Sequence, residues 1–173
     1  KTLPGVQALM QELEIDDMGP DIFWRIYIPL SRWMFQQKMK QRPNEAYIAG
    51  FYGSLGIGKT TRTKILNLVL TELLKDRGEQ VVVWSIDDLY KTKAERELLK
   101  PLGYTHRGLP GTHDVELGIK VLNELRQSTG SSVVEIPVFD KSKDDRVEPR
   151  TITGKVGIVI FEGWLVGTAT DFN

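Results

Sequence analysis

The chain has 173 residues, enough for one domain with a proper core and too few for two comfortable ones. Hydrophobic residues at 40% and charged residues at 27% describe an ordinary globular protein, and 23 basic side chains cancel 23 acidic ones. That balance excludes a global field favouring nucleic acid or an anionic membrane, and the absence of cysteine excludes a disulfide, a thiolate nucleophile and a Cys-based metal site. No apolar run is long enough to span a bilayer, so the expected location is the cytoplasm, or the plastid stroma in a plant.

Val6, Leu9, Met10 and Leu13 fall on one helical stripe that Pro4 can open and Gly19-Pro20 breaks. A second stripe holds Phe23, Ile26, Tyr27, Leu30, Trp33 and Met34, with Pro29 predicting a kink or two short helices. Residues 1–45 thus read as an N-terminal helical extension and 46–173 as the core. Residues 47–52 form a short apolar strand. Leu66, Val69, Leu70 and Leu73 mark a helix over 60–76, stopped by Gly78. A continuous β-branched run over 81–86 predicts a buried parallel strand. Residues 100–113 read as a long functional loop, and Asp114 as the cap of a helix whose inner face is Gly118, Val121, Leu122 and Leu125. Strands are expected over 133–138 and 156–161, separated by a charged stretch over 141–150. Strands alternating with helices predict an α/β fold with a mostly parallel sheet.

Between the first strand and the following helix lies Gly53-Ser54-Leu55-Gly56-Ile57-Gly58-Lys59-Thr60, a P-loop. Its glycines let backbone N–H groups turn toward phosphate oxygens, and the helix beyond adds the positive end of its dipole. Lys59 is expected to reach the β- and γ-phosphates of ATP and Thr60 to ligate Mg²⁺, with Thr61 completing the nucleotide site. The strand 156–161 ends in Glu162, a carboxylate placed to hold the metal's water shell. Asp87 and Asp88 end the strand over 81–86, beyond the carboxyl ends of the strands where open α/β sheets bind ligands. One of them can accept the proton of an attacking hydroxyl. Arg107, His113, Asp114, Lys141 and Arg146 lie in loops, whereas His106 reads as solvated and Trp24, Trp33, Trp84 and Trp164 as core or interface residues.

Ser85-Ile86-Asp87-Asp88-Leu89-Tyr90, Ile136-Pro137-Val138-Phe139-Asp140 and Phe161-Glu162-Gly163-Trp164 resemble signatures of uridine-kinase-like P-loop kinases. Within that superfamily, Arg107-Gly108-Leu109-Pro110-Gly111-Thr112-His113-Asp114 and Lys141-Ser142-Lys143-Asp144-Asp145-Arg146 look most like the D-glycerate 3-kinases of plant and cyanobacterial type. The resemblance covers about 47–167. It implies a P-loop three-layer sandwich and γ-phosphoryl transfer from Mg·ATP to D-glycerate, a small-molecule substrate, with Lys59 and Asp87 catalytic. Asp88, Arg107, His113, Asp114, Lys141 and Arg146 then form the acceptor site. Asp144 stands about where nucleoside-specific relatives carry histidine, which weakens a uridine reading. A uridine- or pantothenate-type kinase, or a nucleotide-binding module acting through a partner, are the alternatives. Kinases of this fold continue past the acidic strand with further strands and an arginine-bearing lid, so the expectation is either a longer kinase truncated here after that strand or a remainder supplied by another polypeptide. The first strand would then keep an open edge, to be covered by the 23–34 segment or by a second copy of the chain.

Overall fold

The computed structural model describes residues 20–41, 43–54 and 56–168, together with Ala8 and Gln11. Of the helix expected over 6–13, only those two residues are described, both helical and exposed. Leu55 of the P-loop also lies outside the described residues.

The second stripe forms one helical run with a wide turn in it. A π turn over Phe23–Tyr27, closed by the Ile28 N–H on the Phe23 carbonyl, leads into helix α1 (Ile28–Gln41). Pro29 has no N–H for the carbonyl of Arg25, and its ring would crowd that oxygen in a regular turn, so the widened turn takes the place of the expected kink. Strand β1 (Tyr47–Tyr52) runs into the P-loop, and helix α2 (Lys59–Leu74) follows, ending through a short 3₁₀ turn at Gly78 with φ of 63°. Strand β2 (Gln80–Ser85) turns into a 3₁₀ segment over Ile86–Leu89. Helix α3 (Lys93–Leu99) comes next, within a stretch the sequence reading left without an element. Helix α4 (Val115–Arg126), strand β3 (Val133–Asp140), strand β4 (Asp145–Thr153) and strand β5 (Val156–Gly163) complete the order.

The central sheet is parallel, in the order β1-β5-β2, with Ala49 opposite Ile160 and Val83 opposite Ile160 on the other side. β5 is buried from Val156 to Ile160, as a strand flanked and covered on both faces must be. On one face, Phe23, Tyr27, Met34, Ile65, Leu66, Val69 and Leu70 bury against Ile158 and Ile160. On the other, Trp84, Leu89, Val121, Leu125, Val134 and Ile136 bury against Val156 and Val159. These are the three layers of the expected sandwich.

Two expectations are corrected. β3 does not join the parallel sheet, and of the charged stretch only residues 141–144, with Lys141, form a turn, while Arg146 lies in a strand: β3 and β4 form their own antiparallel pair. Its register shifts where Pro137 faces Glu148 and Pro149, a bulge that accommodates two prolines lacking donors. The 23–34 segment packs with α2 over the face of β1, where Tyr47, Ala49 and Phe51 meet the cluster, rather than along its free edge; Gly50 and Tyr52 stay exposed.

Candidate functional site

At the carboxyl ends of the parallel strands lies a cleft of about 570 Å³, lined by Gly56, Gly58, Lys59, Thr60, Ser85, Asp87, Asp88, Phe139, Lys141, Glu162, Gly163 and Trp164. β1 delivers the P-loop to one wall. Gly53 is buried, and a Cβ there would sit 2.3 Å from Ile57 Cδ1, the tip of an exposed side chain that would have to turn aside. Gly58 holds the N-cap of α2 with φ of 76°, and no side chain caps the helix. The first amide N–H groups of α2 are thereby left for an anion, at the positive end of the helix dipole. Lys59 donates to the Ser54 carbonyl at 2.9 Å, which folds its ammonium back over the loop. Thr60 and Thr61 open α2, Thr60 exposed to the cleft and Thr61 half-buried.

β2 and β5 supply the acidic wall. Ser85 accepts the Asp87 N–H and starts the 3₁₀ turn that aims Asp87 and Asp88 in different directions. Asp87 receives the Tyr90 hydroxyl at 3.1 Å on Oδ1 and the Lys141 ammonium at 2.8 Å on Oδ2. Asp88 instead accepts the backbone N–H of Phe139 at 3.1 Å, so it pins β3 to the sheet's end. Burial pushes the Asp88 carboxyl above its usual range, opposed by that hydrogen bond. Burial likewise raises Glu162; Ser85 and Lys59 pull it down, while Asp87 and Asp88 push it further up. β5 approaches the Asp87 turn closely because Gly163 has no side chain: a Cβ there would lie 2.1 Å from Ile86 Cγ2.

Among the described residues, no group of three or more His, Asp or Glu side chains could by itself hold a metal. The donors facing the cleft, the Thr60 hydroxyl and the half-buried Glu162 carboxyl, fit a Mg²⁺ that keeps phosphate and water ligands rather than a protein cage.

The remaining expected acceptor residues gather one layer back. Arg107 pairs with Asp144 and lies 5.6 Å from the centroid of the Phe139 ring. Arg96, which the sequence reading did not single out, pairs with the same Asp144 at 3.2 Å and lies 5.5 Å from the same ring. Desolvation pulls the Asp144 carboxyl up, but Arg107 and Arg96 outweigh it and hold it below the usual range. Arg146 is committed to local partners: it donates to the Tyr90 carbonyl at 2.8 Å and the Leu89 carbonyl at 3.3 Å, and pairs with Asp114 at 3.1 Å. Asp114 caps α4 through the Leu117 N–H, as expected. His113 is buried, its ring 4.5 Å from that of Tyr90, with an unpartnered Nε2; burial pushes its pKa down. Arg107, His113, Asp114 and Arg146 thus surround the turn carrying Asp87 without lining the cleft, whereas Lys141 and Asp88 line it.

Sequence reasoning also passed over Tyr90, and it grouped Trp164 with core or interface tryptophans. Trp164 lines the cleft, Trp84 is core, and Trp24 and Trp33 are exposed. A signal for α3 was present, since Thr92 and Glu95 form a capping box. Nothing local distinguishes Arg96 from other charges on that helix.

No family model matches the chain. The curated "Uncharacterized kinase mug58" of Schizosaccharomyces pombe is 39% identical over 151 residues, 77% of this chain and 51% of that protein. The chloroplastic D-glycerate 3-kinase of Arabidopsis thaliana is 29% identical over 178 residues, 91% of this chain and 38% of its own length. Among solved structures, the D-glycerate 3-kinase from Cryptococcus neoformans superposes with a TM-score of 0.66 at 25% identity, covering 81% of this chain and 52% of that one. The chain spans about half the length, or less, of these relatives.

Proposed function

We propose, from the premise that this chain is a relative of D-glycerate 3-kinase and of the uridine- and pantothenate-kinase-like P-loop kinases, that it serves an ATP-dependent transfer of the γ-phosphoryl group to a hydroxyl of D-glycerate. The observation that carries the reading is one cleft with two complementary walls: Lys59 and the uncapped start of α2 on one side, the Asp87 carboxylate on the other.

In this reading the backbone N–H groups of 56–60 and Lys59 hold the β- and γ-phosphates, with Gly53, Ser54, Leu55 and Thr61 completing the loop. Thr60 and Glu162 are the residues that would hold Mg²⁺, which would supply charge neutralisation at those phosphates. Asp87 accepts the proton of the acceptor hydroxyl as its oxygen bonds to the γ-phosphorus. The bond to the β-bridging oxygen breaks, and its electron pair leaves with ADP. Little covalent chemistry falls to the protein; it positions the reactants and screens their charge. Lys141, which lines the cleft, is the first cation assigned to the glycerate carboxylate and Arg107 the second, reaching it only by leaving its place one layer back beside Asp144, with Asp88, His113, Asp114 and Arg146 shaping the turn and loop around it. Pantothenate also carries a carboxylate and a primary hydroxyl, and uridine lacks the carboxylate.

An assay following ADP release with D-glycerate, uridine and pantothenate tests the reading. Glycerate-dependent ADP formation with a 3-phosphorylated product is the expected result. Transfer to uridine or pantothenate alone, or nucleotide binding with no transfer, overturns it.

A further inference from the structure

We propose that Tyr90 is a positioning residue for this transfer, its phenol hydroxyl fixing the rotamer of Asp87 so that the carboxylate's remaining lone pairs face the acceptor hydroxyl. The proposal rests on the kinase reading above. A carboxylate on a short turn has a freely rotating terminal torsion, and a base that swings away from its proton loses the advantage of proximity. Oδ1 of Asp87 takes the Tyr90 hydroxyl at 3.1 Å and Oδ2 the Lys141 ammonium at 2.8 Å. Those two donors are not equivalent. Lys141 sits on an exposed hairpin turn with 63% of its side chain open to solvent, so its flexible stem fixes little.

Tyr90 is held on every side. It is 5% exposed, its ring lies 4.5 Å from that of His113 and meets Phe139 edge-on at 5.2 Å, and its backbone bridges to His113. Its own N–H closes the 3₁₀ turn onto the Asp87 carbonyl at 3.3 Å. Arg146 grips the Tyr90 carbonyl at 2.8 Å, which explains a guanidinium spent one layer behind the cleft. A Cβ on Gly108 would come within 3.6 Å of the phenol oxygen, so the 107–113 loop roofs the hydroxyl as well.

The direction of the hydroxyl proton follows from its partner: a carboxylate can only accept, so the single phenol proton goes to Asp87. Burial, followed by the Asp87 charge, pushes the phenol up to about 12, so Tyr90 remains a donor at any pH the enzyme would meet.

Tyr90→Phe keeps the ring and removes only the hydroxyl. Expected is a kcat lower by roughly tenfold or more, with KM for ATP and for the acceptor within about twofold of wild type. The same change in an Asp87→Asn background should cost nothing further, because its effect runs through that carboxylate. An unchanged kcat, or an equal loss in both backgrounds, overturns the proposal. Should Tyr90→Phe fail to give a cooperative melt, His113→Ala removes the ring packed against Tyr90 at 4.5 Å and so loosens its phenol without touching Tyr90, Asp87 or the cleft lining. A kcat lower by about threefold at unchanged acceptor KM is then expected, and a kcat equal to wild type overturns the proposal. The measurement runs on whichever hydroxyl the wild-type protein phosphorylates. Wild-type transfer with an unaffected Tyr90→Phe sinks this inference alone, whereas no wild-type transfer to any acceptor sinks the kinase reading as well.

Discussion

The two ends of the central sheet both concentrate charge, and they treat it in opposite ways. At the amino ends of β2 and β5, Glu79 is sealed, its side chain 1% exposed. Its carboxylate takes Arg77 at 3.1 Å, Lys38 at 3.3 Å and Lys155 at 3.0 Å. Lys38 spends its other donors on the carbonyls of Pro43 and Glu45. Burial pushes the Glu79 carboxyl up, yet its three cations outweigh burial and hold it below the usual range; burial draws the Lys38 ammonium down. At the carboxyl ends, Asp88 and Glu162 are pushed up, and the helix dipole of α2 points into open space. One pole is satisfied internally and serves the fold. The other keeps charges under-compensated toward a cleft, the condition a phosphate and metal site needs.

That contrast predicts that substitutions at the open pole change turnover without stability, and those at the sealed pole do the reverse. The largest effect is expected from Lys59→Ala, a loss of transfer of roughly 10³-fold or more with an unchanged melting curve. Near-normal turnover would break the assignment of the P-loop wall. Asp87→Asn comes next, with turnover lower by roughly 10²- to 10⁴-fold and ATP affinity little changed. Asp88→Asn is the matched control; a larger loss there than at Asp87 would exchange the two roles.

At the sealed pole, Glu79→Gln leaves three cations around a neutral amide and should cost about 3 kcal/mol of unfolding free energy, read by denaturant titration. Specific activity of the folded fraction should stay at wild-type level. Because the folded-state value of Glu79 is depressed, its contribution is complete above the ordinary glutamate range and is lost as pH falls through the lower folded value. The difference between wild type and Glu79→Gln should therefore shrink in acid; a difference that widens below that range would reverse the electrostatic account. The smallest effect is expected for Arg107→Gln, about a tenfold rise in acceptor KM with ATP KM unchanged. An unchanged acceptor KM would leave Arg107 as a partner of Asp144 only.

Legibility in the sequence divides along similar lines. The P-loop, the place of Asp87 just past β2, the Asp114 cap and the buried runs of β2 and β5 were readable because each follows from a local backbone demand or a strong apolar pattern. β4 was not, because it pairs with a single neighbour, is largely exposed, and carries Pro149 in a charged stretch. The commitment of Arg146 to the Tyr90 and Leu89 carbonyls was equally hidden, since it depends on contacts more than fifty residues away in sequence. Loop charges can be listed from a sequence; which of them the fold spends internally is a tertiary property.

The bare Cα of Gly163 has a consequence for anyone reshaping this cleft. A methyl group there would overlap Ile86, the residue before Asp87, so how closely the end of β5 approaches the Asp87 turn depends on a missing atom. Libraries that vary acceptor-facing side chains can leave that approach intact, whereas a library that admits alanine at 163 alters both walls at once. Drift toward new substrates has free passage through Lys141 and the hairpin turn and meets a closed door at the junction of β5 with the Asp87 turn.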